Sequence, residues 1–309
     1  MRLVVLAFTM FSFLSCSAVE AQTMGFPLTL TDAHRQNVTL SRAPERIVSI
    51  MPSCTELLYA VGAEAAIVGV TDYCDYPAEA ASKPKVGDLN TLSLERIVSM
   101  KPDLIVGTKD NPSEIVEGLR ALGIPVYIDD PQTVDQVIRS ICLFGKLTGR
   151  SARADSTAAE MERRLRAIAA TVSVIPPNRY PSVFVGSPLN TEHWTPGPGT
   201  FTTDIIVRAG GRNVADDFKV RTWGVYTLEQ IIAKNPDVLL TSEEKNITAE
   251  TLKKRILEKG RAVSGWKNVK AIRNGRVVTM PGEWLLRPGP RVIHAIETLT
   301  AVLRDIKDR

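Results

Sequence analysis

Short apolar runs alternate with amphipathic stretches along the whole chain. "RIVSI", "AIVGV", "LIVG" and "VYID" in the first half, and "SVFVG", "VLLT" and "VVTM" in the second, have the length of buried strands. Between them, segments such as "TELLYAVG", "SEIVEGLRALG" and "TDIIVRAG" carry apolar residues at helical spacing. Strands alternating with helices in this way argue for parallel sheets covered by helices on both faces. One pattern is written twice: "LSLERIVSMKPDLIVG" begins at Leu92 and "YTLEQIIAKNPDVLLT" at Tyr226. In the first copy Ser93 is placed to cap a helix, Glu95 sits in its first turn, and Leu94, Ile97 and Val98 line one face. Pro102 and Asp103 stop the helix and a strand follows. In the second copy Thr227 and Gln230 have capping-box spacing, Leu228, Ile231 and Ile232 form the stripe, and Pro236-Asp237 is the stop. Each half is therefore expected to contain the same helix-turn-strand unit.

Between the halves lies "SARADSTAAEMERRLRAIAATV", in which Ala158, Met161, Leu165, Ile168 and Val172 recur at alternating three- and four-residue steps. That spacing predicts one helix roughly 30 Å long. The predicted architecture is α/β: two Rossmann-like lobes with parallel-rich sheets, joined by a long rigid helix, with a ligand cleft between them. The divisions are residues 1–21 as a signal peptide, 22–148 as the N-terminal lobe, 149–175 as the linking helix and 176–309 as the C-terminal lobe. A helical strut resists hinging more than flexible strands do, so the cleft is expected to change little on binding.

The first residues change the picture of location. Arg2, the apolar run "LVVLAFTMFSFL" and the small-residue site ending at Ala21 have the form of a secretory signal peptide. The run falls short of the ~20 residues needed to span a bilayer. "FLSC", ending at Cys16, resembles a lipoprotein signal, but Phe13 stands where such signals usually have leucine, and the secreted, periplasmic reading is preferred. The net charge of +4 comes without a dense basic patch, which argues against nucleic acid as a partner. Cys54 and Cys74 each follow a predicted strand and would lie close enough to pair in an oxidising compartment if those strands are neighbours, although spacing alone does not establish it; Cys142 reads as a buried helix residue. Of the three histidines, His34 falls in a predicted hairpin and His294 on the last helix, leaving only His193 near the expected cleft. That is too few for a metal-ion site. No nucleophile elbow, phosphate loop, dinucleotide fingerprint or H-E-x-x-H motif is present, which argues against an enzyme; an exported enzyme on the same scaffold is kept as the out-of-class alternative.

"APERIVSIMPSCTELLYAVGA", "GVTDYCDYP", the two "L-E" helices, "TWGVYTLEQIIAKNPDVLL" and "WLLRPGPR" together resemble the helical-backbone substrate-binding proteins of ABC importers, from about Phe26 onward. Within that family the likeness is strongest to its cobalamin-binding members. The resemblance implies a monomer with no resident cofactor that carries a corrinoid to the transmembrane permease, with an iron siderophore or haem as the alternative cargo. It implies ligand contacts at Tyr73, at Trp223 (six residues before Glu229) and in "GEWLLRPGPR", through Glu283, Trp284 and Arg287. It also implies that Glu95 and Glu229 dock onto the permease. Leu89 stands where the family places a second tryptophan, which removes one aromatic wall, and Trp194 is a ligand candidate by location only.

The bland reading of each residue is also open. Trp223 and Trp284 lie in Gly/Pro-rich loops before helices, where α/β sheets bind ligands, but either is also suited to packing between lobes. Trp266 reads as a packing residue, Tyr76 as a turn residue held by Pro77, and Asp72 and Asp75 as solvated turn residues. Ser53 and Glu56 have capping-box spacing. Arg287 and Arg291 suit polar groups of a ligand or backbone carbonyls. An acid in a helix's first turn is favoured by the dipole alone, by ~0.3–1 kcal/mol. Two such acids at matching positions suit a partner with two related basic sites.

Overall fold

The computed structural model describes residues 25–219, 222–244 and 246–307, so the expected signal peptide and Cys16 lie outside the described residues. A hairpin of β1 (Leu28–Thr31) and β2 (Asn37–Leu40) comes first, with His34 in its turn. The first lobe follows: β3 (Ile47–Ser49), α1 (Pro52–Ala60), β4 (Ile67–Val70), α2 (Leu94–Ser99), β5 (Leu104–Thr108), α3 (Ser113–Ala121), β6 (Val126–Asp129) and α4 (Val134–Leu147). The strut is α5 (Ser151–Ser173). The second lobe contains β7 (Ser182–Val185), β8 (His193–Pro196), α6 (Phe201–Arg208), β9 (Arg212–Asn213), β10 (Trp223–Tyr226), α7 (Leu228–Lys234) and β11 (Val238–Ser242). It closes with α8 (Ala249–Ala262), α9 (Lys270–Arg273), β12 (Val277–Met280), α10 (Gly282–Leu286) and α11 (Val292–Lys307).

The two main sheets have one topology. Their orders are β4-β3-β5-β6 and β9-β7-β11-β12, so in each the first strand lies between the second and third and the fourth pairs the third. All pairings within them are parallel. The repeated sequence unit supplies α2 and β5 in one lobe and α7 and β11 in the other. Ser93 caps α2 by accepting from the Arg96 amide, and Thr227 with Gln230 forms a reciprocal capping box on α7. Each helix is followed by a left-handed residue, Lys101 at φ 48° and Asn235 at φ 46°, and then by the Pro-Asp pair. The aspartates do the same work. Asp103 accepts from the Glu45 and Arg46 amides, both at 2.9 Å, and Asp237 accepts from the Ser182 amide at 2.9 Å and its hydroxyl at 2.7 Å. Each clamps the start of the third strand to the start of the first.

The strut follows the predicted helix closely. Its 23 residues give a rod of about 35 Å. Ala154, Ala158, Met161, Ile168 and Val172 are buried, and Leu165 is half-buried. This face packs against α4 on one side and α11 on the other. One hydrophobic cluster runs unbroken from Leu57 and Phe144 in the first lobe, through Met161 and Ile168 in the strut, to Ile205 and Leu299 in the second. The outer side of each sheet has its own smaller core, around Ile105 and Ile128 in one lobe and Phe184 and Trp266 in the other.

Two local expectations are corrected, and a cysteine pairing that the sequence left open is answered. Ser53 and Glu56 form no capping box: Met51 is the N-cap, Pro52 takes the first helical position, and the Glu56 carboxylate is engaged elsewhere. Cys54 and Cys74 are free, buried thiols rather than a disulfide; Thr55 donates to the Cys74 sulfur at 3.1 Å. Cys142 is only half-buried. Burial pushes the Cys54 thiol pKa well up, which makes it inert.

Candidate ligand cleft

The loops at the carboxyl ends of the strands in both lobes open onto one cleft, the usual place for a ligand on parallel sheets. The first-lobe recess holds about 200 Å³ and is lined by Met51, Ser53, Tyr73, Leu89, Thr108 and Asp110, with Leu286 and Arg287 from the other lobe. The second-lobe recess holds about 300 Å³ and is lined by Val185, Asn190, Trp194, Trp223, Thr241, Ser242 and again Leu286. Leu286 thus forms the ridge between them. Tyr73 is 53% exposed, Trp194 50% and Leu286 56%, an unusual amount of open apolar surface to gather in one concavity.

The two tryptophans reach the recess through a strand pairing invisible to helix-and-strand counting. β8 and β10 form an antiparallel ribbon in which Trp223 faces Pro196 and Val225 faces Trp194. Side chains alternate along a strand, so Trp194, Pro196, Trp223 and Val225 share one face. His193, Thr195, Gly224 and Tyr226 share the other, which is turned into the lobe. The His193 ring accordingly meets the Trp266 ring edge-on at 5.3 Å. It points away from the cleft, against the expectation from position alone. Burial holds its pKa below the ordinary imidazole value. Trp266, expected to pack on the second lobe, is buried in that lobe's core.

The "GEWLLRPGPR" segment divides its residues between two environments. Leu286 and Arg287 line the cleft, whereas Trp284 leans on His294, ring centroids 5.5 Å apart, and Glu283 lies 4.0 Å from Arg291. Neither Glu283 nor Trp284 lines either recess. Sequence reasoning missed Leu286, whose signal was the helical turn of α10 that sends residue 286 to a different side from residue 284, and also missed Met51, Thr108, Asp110, Asn190 and Ser242 at the strand ends.

Arg287 is heavily engaged. Its guanidinium donates to Asp75 at 2.6 Å and to the Tyr73 carbonyl at 3.4 Å, and lies 3.7 Å from Glu56. Burial raises the Asp75 carboxyl, but the hydrogen bond and charge of Arg287 outweigh it and hold the group below the usual range. Beside it, Arg291 makes two bonds to Glu56, at 2.9 and 2.6 Å, and sits 3.9 Å over the Tyr76 ring. The Glu56 side chain is only 2% exposed. Burial pushes its pKa up, and the bonds and charge of Arg291 pull against that. Asp75 and Tyr76, read as plain turn residues, thus help tie the lobes together.

Glu95 and Glu229 stand exposed in the first turns of α2 and α7, the matching helices of the two lobes. The Glu229 carboxyl is held below its ordinary pKa by its own backbone amide and the Thr227 hydroxyl. Among the described residues no group of three or more His, Cys, Asp or Glu side chains could hold a metal ion, and no helix is long and apolar enough to cross a membrane.

Comparison with known proteins agrees with this architecture. The chain is 32% identical over 287 residues to an uncharacterized ABC transporter substrate-binding lipoprotein of Bacillus subtilis, YvrC, covering 92% of this chain and 87% of that protein. It is 31% identical over 275 residues to the cobalamin-binding protein of Halobacterium salinarum, covering 87% and 72%. The periplasmic heme-binding protein RhuT of Roseiflexus sp. RS-1, solved in apo form, superposes with a TM-score of 0.73 at 28% identity, over 85% of this chain and 99% of that one. The family model described as "Periplasmic binding protein" matches residues 47–283, from β3 through the strut to the start of α10, and over that span the chain belongs to the periplasmic binding protein family.

Proposed function

We propose that the protein captures a corrinoid of the cobalamin type outside the cytoplasmic membrane and delivers it, as a monomer, to the permease of an ABC importer. The observation that carries this reading is the concave grouping of Tyr73, Trp194 and Trp223 around the Leu286 ridge. A bulky, flat macrocycle is held mainly by such apolar faces, with a few polar groups setting its orientation. Three aromatic faces hiding ~100 Å² each at ~25 cal/mol per Å² contribute roughly 7–8 kcal/mol before association costs. The shared core and the Glu56–Arg291 tie keep the lobes aligned before the ligand arrives, which limits those costs. Leu89 supplies a smaller wall than a ring would, a loss of about 2 kcal/mol unless Trp194 substitutes. The signal-like first residues support export. Glu95 and Glu229 are proposed as the permease contacts, giving orientation and encounter rate more than affinity. Haem is the second reading, favoured by the cleft-facing Tyr73, whose phenol is a donor type that haem iron accepts.

Visible-spectrum titration with cyanocobalamin, cobinamide, haemin and a ferric hydroxamate tests the reading: tightest binding is expected for a corrinoid. Trp223→Ala should weaken that binding at least about tenfold with the circular dichroism spectrum unchanged. Tighter binding of haemin or the siderophore than of either corrinoid would replace the cargo, and an unaffected Trp223 variant would remove that ring from the site.

A further inference from the structure

The polar chemistry of the first-lobe recess is one-sided. Among the described residues Arg287 is the one cation lining it, and its guanidinium is already spent on Asp75, Glu56 and the Tyr73 carbonyl. Lys109, next along the chain, turns to Asp130 at 2.9 Å. Asp110 lines the recess and its carboxylate has no ion-pair partner among the described residues. The turn that carries it is held from below. The buried Asn111 side chain accepts from the Thr108 amide and donates to the Ile50 carbonyl, both at 2.8 Å. Gly107 completes the fit, because a Cβ there would come within 2.5 Å of the Asn111 side-chain oxygen and 2.8 Å of Ile50. Asp110 is therefore presented on a fixed turn rather than a loose loop, its amide donating to the Thr108 hydroxyl at 3.4 Å, and Ser53 lines the same recess.

We infer that Asp110 is a specificity-determining residue: it makes the first-lobe half of the cleft accept ligand edges bearing amide N–H groups and reject edges bearing carboxylates. This rests on the reading that a macrocycle fills the cleft. An amide N–H satisfies the Asp110 acceptor as water leaves, whereas a carboxylate brings a like charge into a site whose only counter-charge is already paired. The rejection is strongest once the ring has covered the recess and lowered the local dielectric.

Cobinamide and cobyrinic acid share the corrin ring but differ in carrying amides or carboxylates at its edge. Titrating both into wild type, Asp110→Asn and Asp110→Ser at neutral pH should show the wild type favouring cobinamide by at least about tenfold. Both variants should narrow that gap chiefly by tightening cobyrinic acid, and added salt should narrow it in the wild type. A wild type without preference, or variants with the wild-type gap, overturns the inference. If neither corrinoid binds, the corrinoid reading fails by itself, and haemin against its dimethyl ester then tests the charge rule. A preference for the diester that Asp110→Asn abolishes sustains the rule; any other result, including no binding of either, overturns it.

Discussion

At the scale of single residues the repeated aspartates do more than end a turn. Asp103 and Asp237 each hold two donors at the first strand of their lobe and fix how the third strand enters the sheet. Hydrogen bonds to a charged acceptor contribute about 1.5–3 kcal/mol each when partly shielded, so Asp237→Ala should cost roughly 2–3 kcal/mol at pH 7. Burial raises the Asp237 carboxyl, but the Ser182 amide and hydroxyl and then Lys270 outweigh it, and the net position is below the usual value. A depressed folded-state pKa means the stabilisation is complete above the unfolded value of about 3.9 and fades as pH falls through the folded one. Urea unfolding of wild type and Asp237→Ala at pH 7 and near pH 3 should give a smaller difference in acid. An equal difference at both would show that ionisation contributes nothing.

At the scale of elements, close approach decides what propensity alone would decide the other way. Gly145 in α4 lies against Ala154 of the strut, and a Cβ built on it would overlap the Ala154 methyl. An interior Gly→Ala change ordinarily favours a helix by up to ~1 kcal/mol, whereas overpacking costs about 1–3 kcal/mol. Gly145→Ala should therefore lower the melting temperature despite the better helix former. A raised melting temperature would mean that α4 and the strut can move apart at no cost. The β8–β10 ribbon makes a similar point: with a period of two, one register aims Trp194 and Trp223 at the cleft and a one-residue slip would aim His193 there instead.

At the scale of the whole molecule, the lobes are joined by a shared core and a paired set of charges as well as by the rod. A buried ion pair such as Glu56–Arg291 gains little net stability, since desolvation offsets much of the attraction. It fixes a direct link between α1 of the first lobe and the residue just before α11 of the second. The outer surface carries the other whole-molecule feature, one exposed acid on each equivalent helix. Glu95→Ala combined with Glu229→Ala should leave cobinamide titration unchanged while reducing corrinoid uptake and pull-down of the permease in cells, with each single variant milder. Full transport by the double variant would move the docking surface elsewhere.

Much of the fold was legible because its cues are local. Apolar periodicity, caps and the Pro-Asp stops depend on residues within one or two turns of each other. They mark both copies of the helix-turn-strand unit and nearly the full extent of the strut. The chemistry of the cleft was legible only in part, since it depends on which side of an element faces which neighbour. Tyr73, Trp194, Trp223, Leu89 and Arg287 line the recesses; Leu286, Asp110 and several strand-end residues were overlooked; Trp284 and Glu283 pack beside His294 and Arg291. The reach of Glu56 to Arg291 spans 235 positions in the chain and crosses between lobes. By itself the sequence determined the repeating units, their order and the rod between them, because local sterics and burial period specify those. Only the tertiary structure decided which rings face the gap, which charges are already paired and which remain for a ligand, because those depend on contacts between residues that the chain places far apart.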